Sequence, residues 1–244
     1  MAEFDRPTIA ARTGTAAVID EGLRSYMLKV YNYMGLGLVV TGLVAYFSNA
    51  LAVSDGGLTA WGNLLYNTPL MWVVALAPLG FVFALSFGIN RFSSATAQLL
   101  FWLFAGVMGL SLSSIFLVYT DASIAKVFFI TAATFGAMSL YGYTTRRDLT
   151  GIGNFLIMGL IGLIIAMIVN IFLASSALDF AISIIGVLIF VGLTAYDTQK
   201  IKESYDVSLG AEILQKGAIM GALRLYLDFI NLFLMLLRLF GNRE

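Results

Sequence analysis

IGNFLIMGLIGLIIAMIVNIFLA, residues 152–174, contains no charged side chain. At 1.5 Å per residue, a helix of this length crosses the roughly 30 Å hydrocarbon layer of a bilayer. On either side of it lie five more apolar runs of spanning length, at 27–51, 70–89, 97–119, 125–145 and 179–198. A seventh, 217–240, differs in being interrupted by Arg224, Asp228, Asn231 and Arg238. The whole chain agrees with the local pattern. Of its 244 residues, 60% are apolar and 11% charged, with mean hydropathy +0.91, where a soluble domain carries roughly 25% charged residues. These features predict an all-α membrane protein of seven transmembrane helices whose main partner is the lipid bilayer.

The first 25 residues are polar and mixed in charge, with no apolar core of a signal peptide. The expected organisation is a short cytoplasmic amino-terminal arm, 1–25, followed by a seven-helix domain, 26–244, whose first helix starts near Ser25 and serves as an uncleaved targeting signal. The connectors are short. The longest, 52–69, carries Asp55, Gly56 and Gly57 as turn formers, and none could hold an extramembrane catalytic domain. Lys and Arg mark one set of ends: Arg6, Arg12, Arg24 and Lys29, then Arg91, then Arg146 and Arg147, then Lys200, Lys202 and Lys216. The alternate connectors hold only Lys126, which predicts a cytoplasmic amino terminus. Seven full crossings leave Arg238 and Arg243 on the outer side against that rule. A last segment that enters from the cytoplasm and returns removes the conflict, so both arrangements stand on sequence alone.

Acidic and basic residues balance at 14 each, so no net field draws the chain to nucleic acid. Cysteine and histidine are both missing. Disulfides, thiol nucleophiles, zinc-type sites and imidazole chemistry go with them, and proton chemistry falls chiefly to carboxylates. An intramembrane serine protease of the Ser/His kind is excluded. An aspartyl protease is disfavoured because neither Asp197 nor Asp228 sits in a GxGD sequence, so no enzyme and no permanently bound cofactor is expected.

A charge in hydrocarbon costs at least about 2.5–3.5 kcal/mol and therefore faces a partner or a wet cavity. Asp228 lies near the middle of the last run. Asp197 lies at the end of the sixth. Gly217, Gly221, Arg224, Asp228, Asn231 and Met235 follow steps of three or four and share one helical stripe, while Phe190, Thr194, Asp197 and Ile201 share another, which brings the Thr194 hydroxyl near Asp197. Two carboxylates about 4 Å apart repel by about 4 kcal/mol at an effective dielectric of 20. Such a pair shares one proton and releases it in coupled steps, which gives a pH switch without histidine. Deprotonated, the same oxygens suit calcium better than a soft metal.

Simpler readings exist for each residue. Asp197 could be a solvated helix end paired with Lys200 or Lys202, Asp228 could pair with Arg224 one turn earlier, and Arg91 could be a boundary anchor. Asp121, Asp148, Asp179 and Asp206 read as solvated turn residues. Among the 24 glycines, Gly217 and Gly221 form GxxxG beside Ala218 and Ala222, which suits the last helix to a central place. Ordinary helix packing is the expected role of nearly all the others.

The segments LYLDFINLFLMLLRLFG, 225–241, and LTAYDTQKIK, 193–202, resemble the Bax inhibitor-1 family in its bacterial branch, in order and spacing as well as in residues. The resemblance implies a seven-helix protein with a central last helix that conducts a calcium leak. It also implies a pH-sensing aspartate pair, Asp197 and Asp228, engaged in the closed state by an arginine that corresponds to Arg91. The chain ends in GNRE, without the lysine-rich tail of animal relatives, so neither a tail-based pH response nor control of cell death is expected. The expected function is a pH-sensitive calcium leak in the bacterial inner membrane. A proton/calcium exchanger using the same acids, and a regulator whose arm binds a membrane-anchored ATP-dependent protease, are the alternatives.

Overall fold

A computed structural model describes the backbone of residues 6–54 and 56–242 and the side chains of 21–54 and 56–242. The Asp55 turn former and the charges of Arg6, Arg12 and Arg243 lie outside the described side chains. Helix α1 runs unbroken over Arg6–Ala52, so it starts well before Ser25. The reason is local: the polar residues ahead of the apolar run are rich in alanine, and Pro7 falls in the first turn, where its missing N–H costs nothing.

The connector after α1 carries more structure than its turn formers suggested. A two-residue hairpin pairs β1, Val53–Ser54, with β2, Gly57–Leu58, and Gly57 enters β2 with a φ of 109°. A one-sided helix α2, Ala60–Tyr66, follows, capped by the Thr59 hydroxyl on the Gly62 N–H. The remaining helices are α3 (Leu70–Gly88), α4 (Ser94–Leu112, continued by a 3-10 turn, Ser113–Leu117), α5 (Asp121–Thr144), α6 (Thr150–Leu173), α7 (Ser176–Glu203) and α8 (Ala211–Phe240). Side-chain oxygens of Ser93, Thr120 and Ser175 cap α4, α5 and α7, which is why the chain turns sharply between spans. Among the described residues, seven helices are long and apolar enough to cross a membrane: all of these except α2.

Helix α8 is the centre of the bundle, packed against α7, α1, α5 and α4. It is one continuous helix of 30 residues, about 45 Å long, and so it does not enter and return. Arg238 at its far end instead meets Asp179, in the first turn of α7, at 3.6 Å. The charge that seemed misplaced has a partner, and Asp179 is more than a solvated turn residue. Tyr226 fixes α8 laterally. Its hydroxyl lies 2.6 Å from Thr41 Oγ1, and Thr41 spends its own proton on the Ala105 carbonyl at 2.8 Å, so Tyr226 is the donor.

Glycines divide into two groups. At Gly142 an added Cβ would overlap the Ala195 carbonyl, and at Gly221 and Gly186 it would press on Ile201 and Met235. These permit close helix approach. At Gly35, Gly80, Gly136 and Gly162 an added Cβ would meet nothing within 4 Å, so packing does not explain them and the expectation fails there.

Candidate functional site: the carboxyl pair between α7 and α8

Asp197 is four-fifths of the way along α7 and Asp228 just past the middle of α8; the packing of these two helices brings them together. Both are buried, with residue exposures of 9% and 5%. Their carboxyl groups face one another across the α7–α8 seam, close enough to act on each other directly. Two carboxyl groups placed like this can share a hydrogen bond only when one of them carries a proton. Asp228 Oδ2 is buried and has no hydrogen-bond partner, an orphaned acceptor of the kind that stable cores avoid.

Among the described residues, one cation attends the pair. Arg224 Nη1 lies 3.6 Å from Asp197 Oδ1. Side chains on a helix lean toward its amino terminus, so Arg224 points toward the end of the bundle where α7 finishes and reaches Asp197 rather than Asp228, one turn behind it. Its side chain is half exposed, which keeps the ion pair weak. Charge counting follows directly: two ionised carboxylates and one guanidinium leave one net negative charge at the site, which one proton removes and one divalent cation more than offsets.

The other expected participants are elsewhere. Arg91 is exposed on the turn after α3, and among the described residues it is in none of the ion pairs; its expected contact with the pair is not made in this conformation. Thr194 donates to the Phe190 carbonyl at 2.7 Å and Asn231 to the Leu227 carbonyl at 2.8 Å, so the hydroxyl proton and one amide N–H are used within their own helices. Lys200 pairs with Glu203 at 2.7 Å and Lys202 reaches the Tyr143 carbonyl, which leaves Asp197 to Arg224 and Asp228. Among the described residues no cluster of three acidic, His or Cys side chains exists, so the two carboxylates are the whole charged donor set for a cation that prefers six to eight oxygens.

The profile of the family described as "Inhibitor of apoptosis-promoting Bax1" matches residues 23–244. The chain belongs to the Bax inhibitor-1 family. An Escherichia coli relative called inner membrane protein YbhL is 50% identical over 231 residues, covering 91% of this chain and 94% of its own. An uncharacterized Rickettsia prowazekii protein is 51% identical over 232 residues, 95% of each chain, and one from Caulobacter vibrioides is 50% identical over 230 residues, 93% of this chain and 92% of its own.

In this Bax inhibitor-1 family member, the residues around Asp197 hold the pair's surroundings in ways the sequence did not disclose. Gln199 accepts from the Leu149 N–H at 2.8 Å and donates to the Arg147 carbonyl at 2.7 Å, clamping the turn between α5 and α6. Lys202 donates to the end of α5 at Tyr143. Thr198 donates to the Thr194 carbonyl, so Ser139 donates to Thr198 at 2.9 Å and Tyr31 to Ser139 at 2.6 Å. That hydroxyl chain joins α1, α5 and α7, and it ends on a backbone carbonyl rather than on a carboxylate. A polar residue at a membrane boundary reads as solvated from sequence; only its buried carbonyl partner reveals otherwise.

Proposed function

We propose that this protein is a pH-sensitive calcium-permeable leak of the bacterial inner membrane, with its amino terminus in the cytoplasm and the Asp197–Asp228 pair as the switch. The observation that carries the reading is the buried carboxyl–carboxyl contact with a single guanidinium beside it. A proton shared by the pair neutralises the site and ties α7 to the central helix. Its loss leaves a net negative charge at the helix junction, which weakens the tie and attracts a hard cation through carboxylate oxygens. Calcium and protons are then competitors for the same oxygens, and the reading assigns no catalytic step and no resident cofactor. Arg224 is the cation of the conformation described here, and Arg91 joins the pair only if the end of α3 moves toward it.

The inner-membrane assignment draws on the name of the Escherichia coli relative, and the orientation on the Lys and Arg gathered at one set of helix ends. The test is calcium flux in proteoliposomes of the purified protein across a pH series. Wild type is expected to change its flux with pH, and Asp197→Asn or Asp228→Asn to lose that dependence. Calcium driven uphill by an imposed pH gradient would make the same pair the carrier site of an exchanger. Flux indistinguishable from protein-free vesicles at every pH would remove transport and favour the regulator of a membrane-anchored protease.

A further inference from the structure

Helices α1 and α5 run side by side and scarcely touch. Between them lies a crevice of about 600 Å³, bounded by Arg24, Tyr31 and Gly35 on α1 and by Gly136 and Ser139 on α5, with Phe229 of α8 as its floor. From Arg24 to Gly35 it extends about 16 Å along the helix. A second, smaller cavity of about 90 Å³ also borders Phe229, walled by α1, α5, α8 and the 3-10 turn after α4. Both helices are spanning segments, so the mouth of the crevice opens on hydrocarbon, with Leu28 and Leu140 exposed on its rims.

Three features show that the space is kept rather than left over. Gly35 and Gly136 both line it, and an added Cβ at either would meet nothing within 4 Å, although glycine weakens a helix interior relative to alanine. The Tyr31 and Ser139 hydroxyls in its wall bond to each other at 2.6 Å, and the rest of the lining is mostly apolar. At one end stands Arg24, which among the described residues forms no ion pair. An apolar trough in a bilayer forfeits dispersion contacts unless something fills it, and the medium at its mouth supplies chains that end in phosphates. A guanidinium is well matched to a phosphate by its forked donors.

We propose that the α1–α5 crevice is a phospholipid-binding site, with one acyl chain lying between Gly35 and Gly136 on Phe229 and the lipid phosphate on Arg24. Phe229 follows Asp228 in the chain, so the lipid tail rests one residue from the buried pair. The assignment stands on the crevice alone and does not depend on calcium transport.

Native mass spectrometry of the full-length protein, given palmitoyl-oleoyl phosphatidylglycerol in mild detergent, tests it. Wild type is expected to retain one phospholipid, and the crevice-filling variant Gly35→Leu/Gly136→Leu to retain it about tenfold less, a change of about 1.4 kcal/mol in binding. Arg24→Gln should lower retention as well. The control is Gly80→Leu, at a glycine with equal open space outside the crevice, which should retain the lipid as wild type does. In proteoliposomes of the wild-type protein, a phosphatidylglycerol with a photoactivatable diazirine in its chain should label 27–35 and 132–140 above the exposed face of α6. Even labelling of all lipid-facing helices overturns the proposal even where the filled variant fails to fold. Equal retention by the filled variant and the control, or an adduct with the mass of a second copy of the chain, overturns it too.

Discussion

Helices α6 and α8 are both apolar enough to span a membrane, yet they occupy opposite extremes of the bundle. The most apolar stretch of α6 has mean hydropathy 2.8 and is 6% buried; that of α8 has 1.7 and is 72% buried. In water the order would be reversed, because burial would reward the greasier helix. In lipid the surroundings are as apolar as leucine, so no such reward exists and the interior goes to the helix whose polar groups need partners. The position of Asp228 and the centrality of α8 are therefore one fact seen twice.

The comparison is broken most severely by exchanging the character of the two helices. Ile165 on α6 is 57% exposed, and Ile165→Asp should cost about 3 kcal/mol, the scale of an unpartnered charge at the bilayer centre, with loss of folded protein in a membrane-extraction assay. The opposite change, Asp228→Leu, should leave the thermal midpoint of the detergent-solubilised protein unchanged or raised, because burying a carboxyl with its orphaned Oδ2 costs at least as much as the tie to α7 returns. A marked fall would mean that the pair is held for stability. After Ile165→Asp, the next largest loss is that of Gln199→Ala. It leaves the Leu149 N–H and the Arg147 carbonyl without their partner, and should destabilise by about 1–2 kcal/mol, with faster hydrogen exchange confined to residues 146–150.

The smallest effect belongs to an aspartate of the other kind. Asp148, in the turn before α6, is fully exposed, and the hydroxyl and then the N–H of Thr150 hold its carboxyl below the ordinary range. A lowered value stabilises the fold at every pH above the unfolded value, about 3.9, and the contribution fades only as pH falls through the folded value. Asp148→Asn should therefore leave flux unchanged near neutrality and reduce stability only slightly, a loss that shrinks further in strong acid.

Much of this was legible in the amino-acid order, and the gaps have physical causes. Seven apolar runs announce seven spans because only helices or closed barrels satisfy backbone groups in lipid, and the same cost argument singles out Asp197 and Asp228. Helix α2 escaped because seven residues are too few to show a period. The choice between Arg91 and Arg224 escaped because a long side chain's direction, rather than its spacing, determines what it meets. The crevice escaped most completely: Gly35 and Gly142 look alike in sequence, and only the neighbouring helix distinguishes a glycine that lets α7 close in from one that faces empty space.

The central claim, that two carboxyl groups on α7 and α8 act as one titrating unit, is tested most directly by a double-variant comparison of calcium flux against pH. If Asp197 and Asp228 share a proton, then Asp197→Asn, Asp228→Asn and the double variant should all lose the pH response to the same extent. Additive losses, with each single variant keeping part of the response, would show two independent acids and contradict the account.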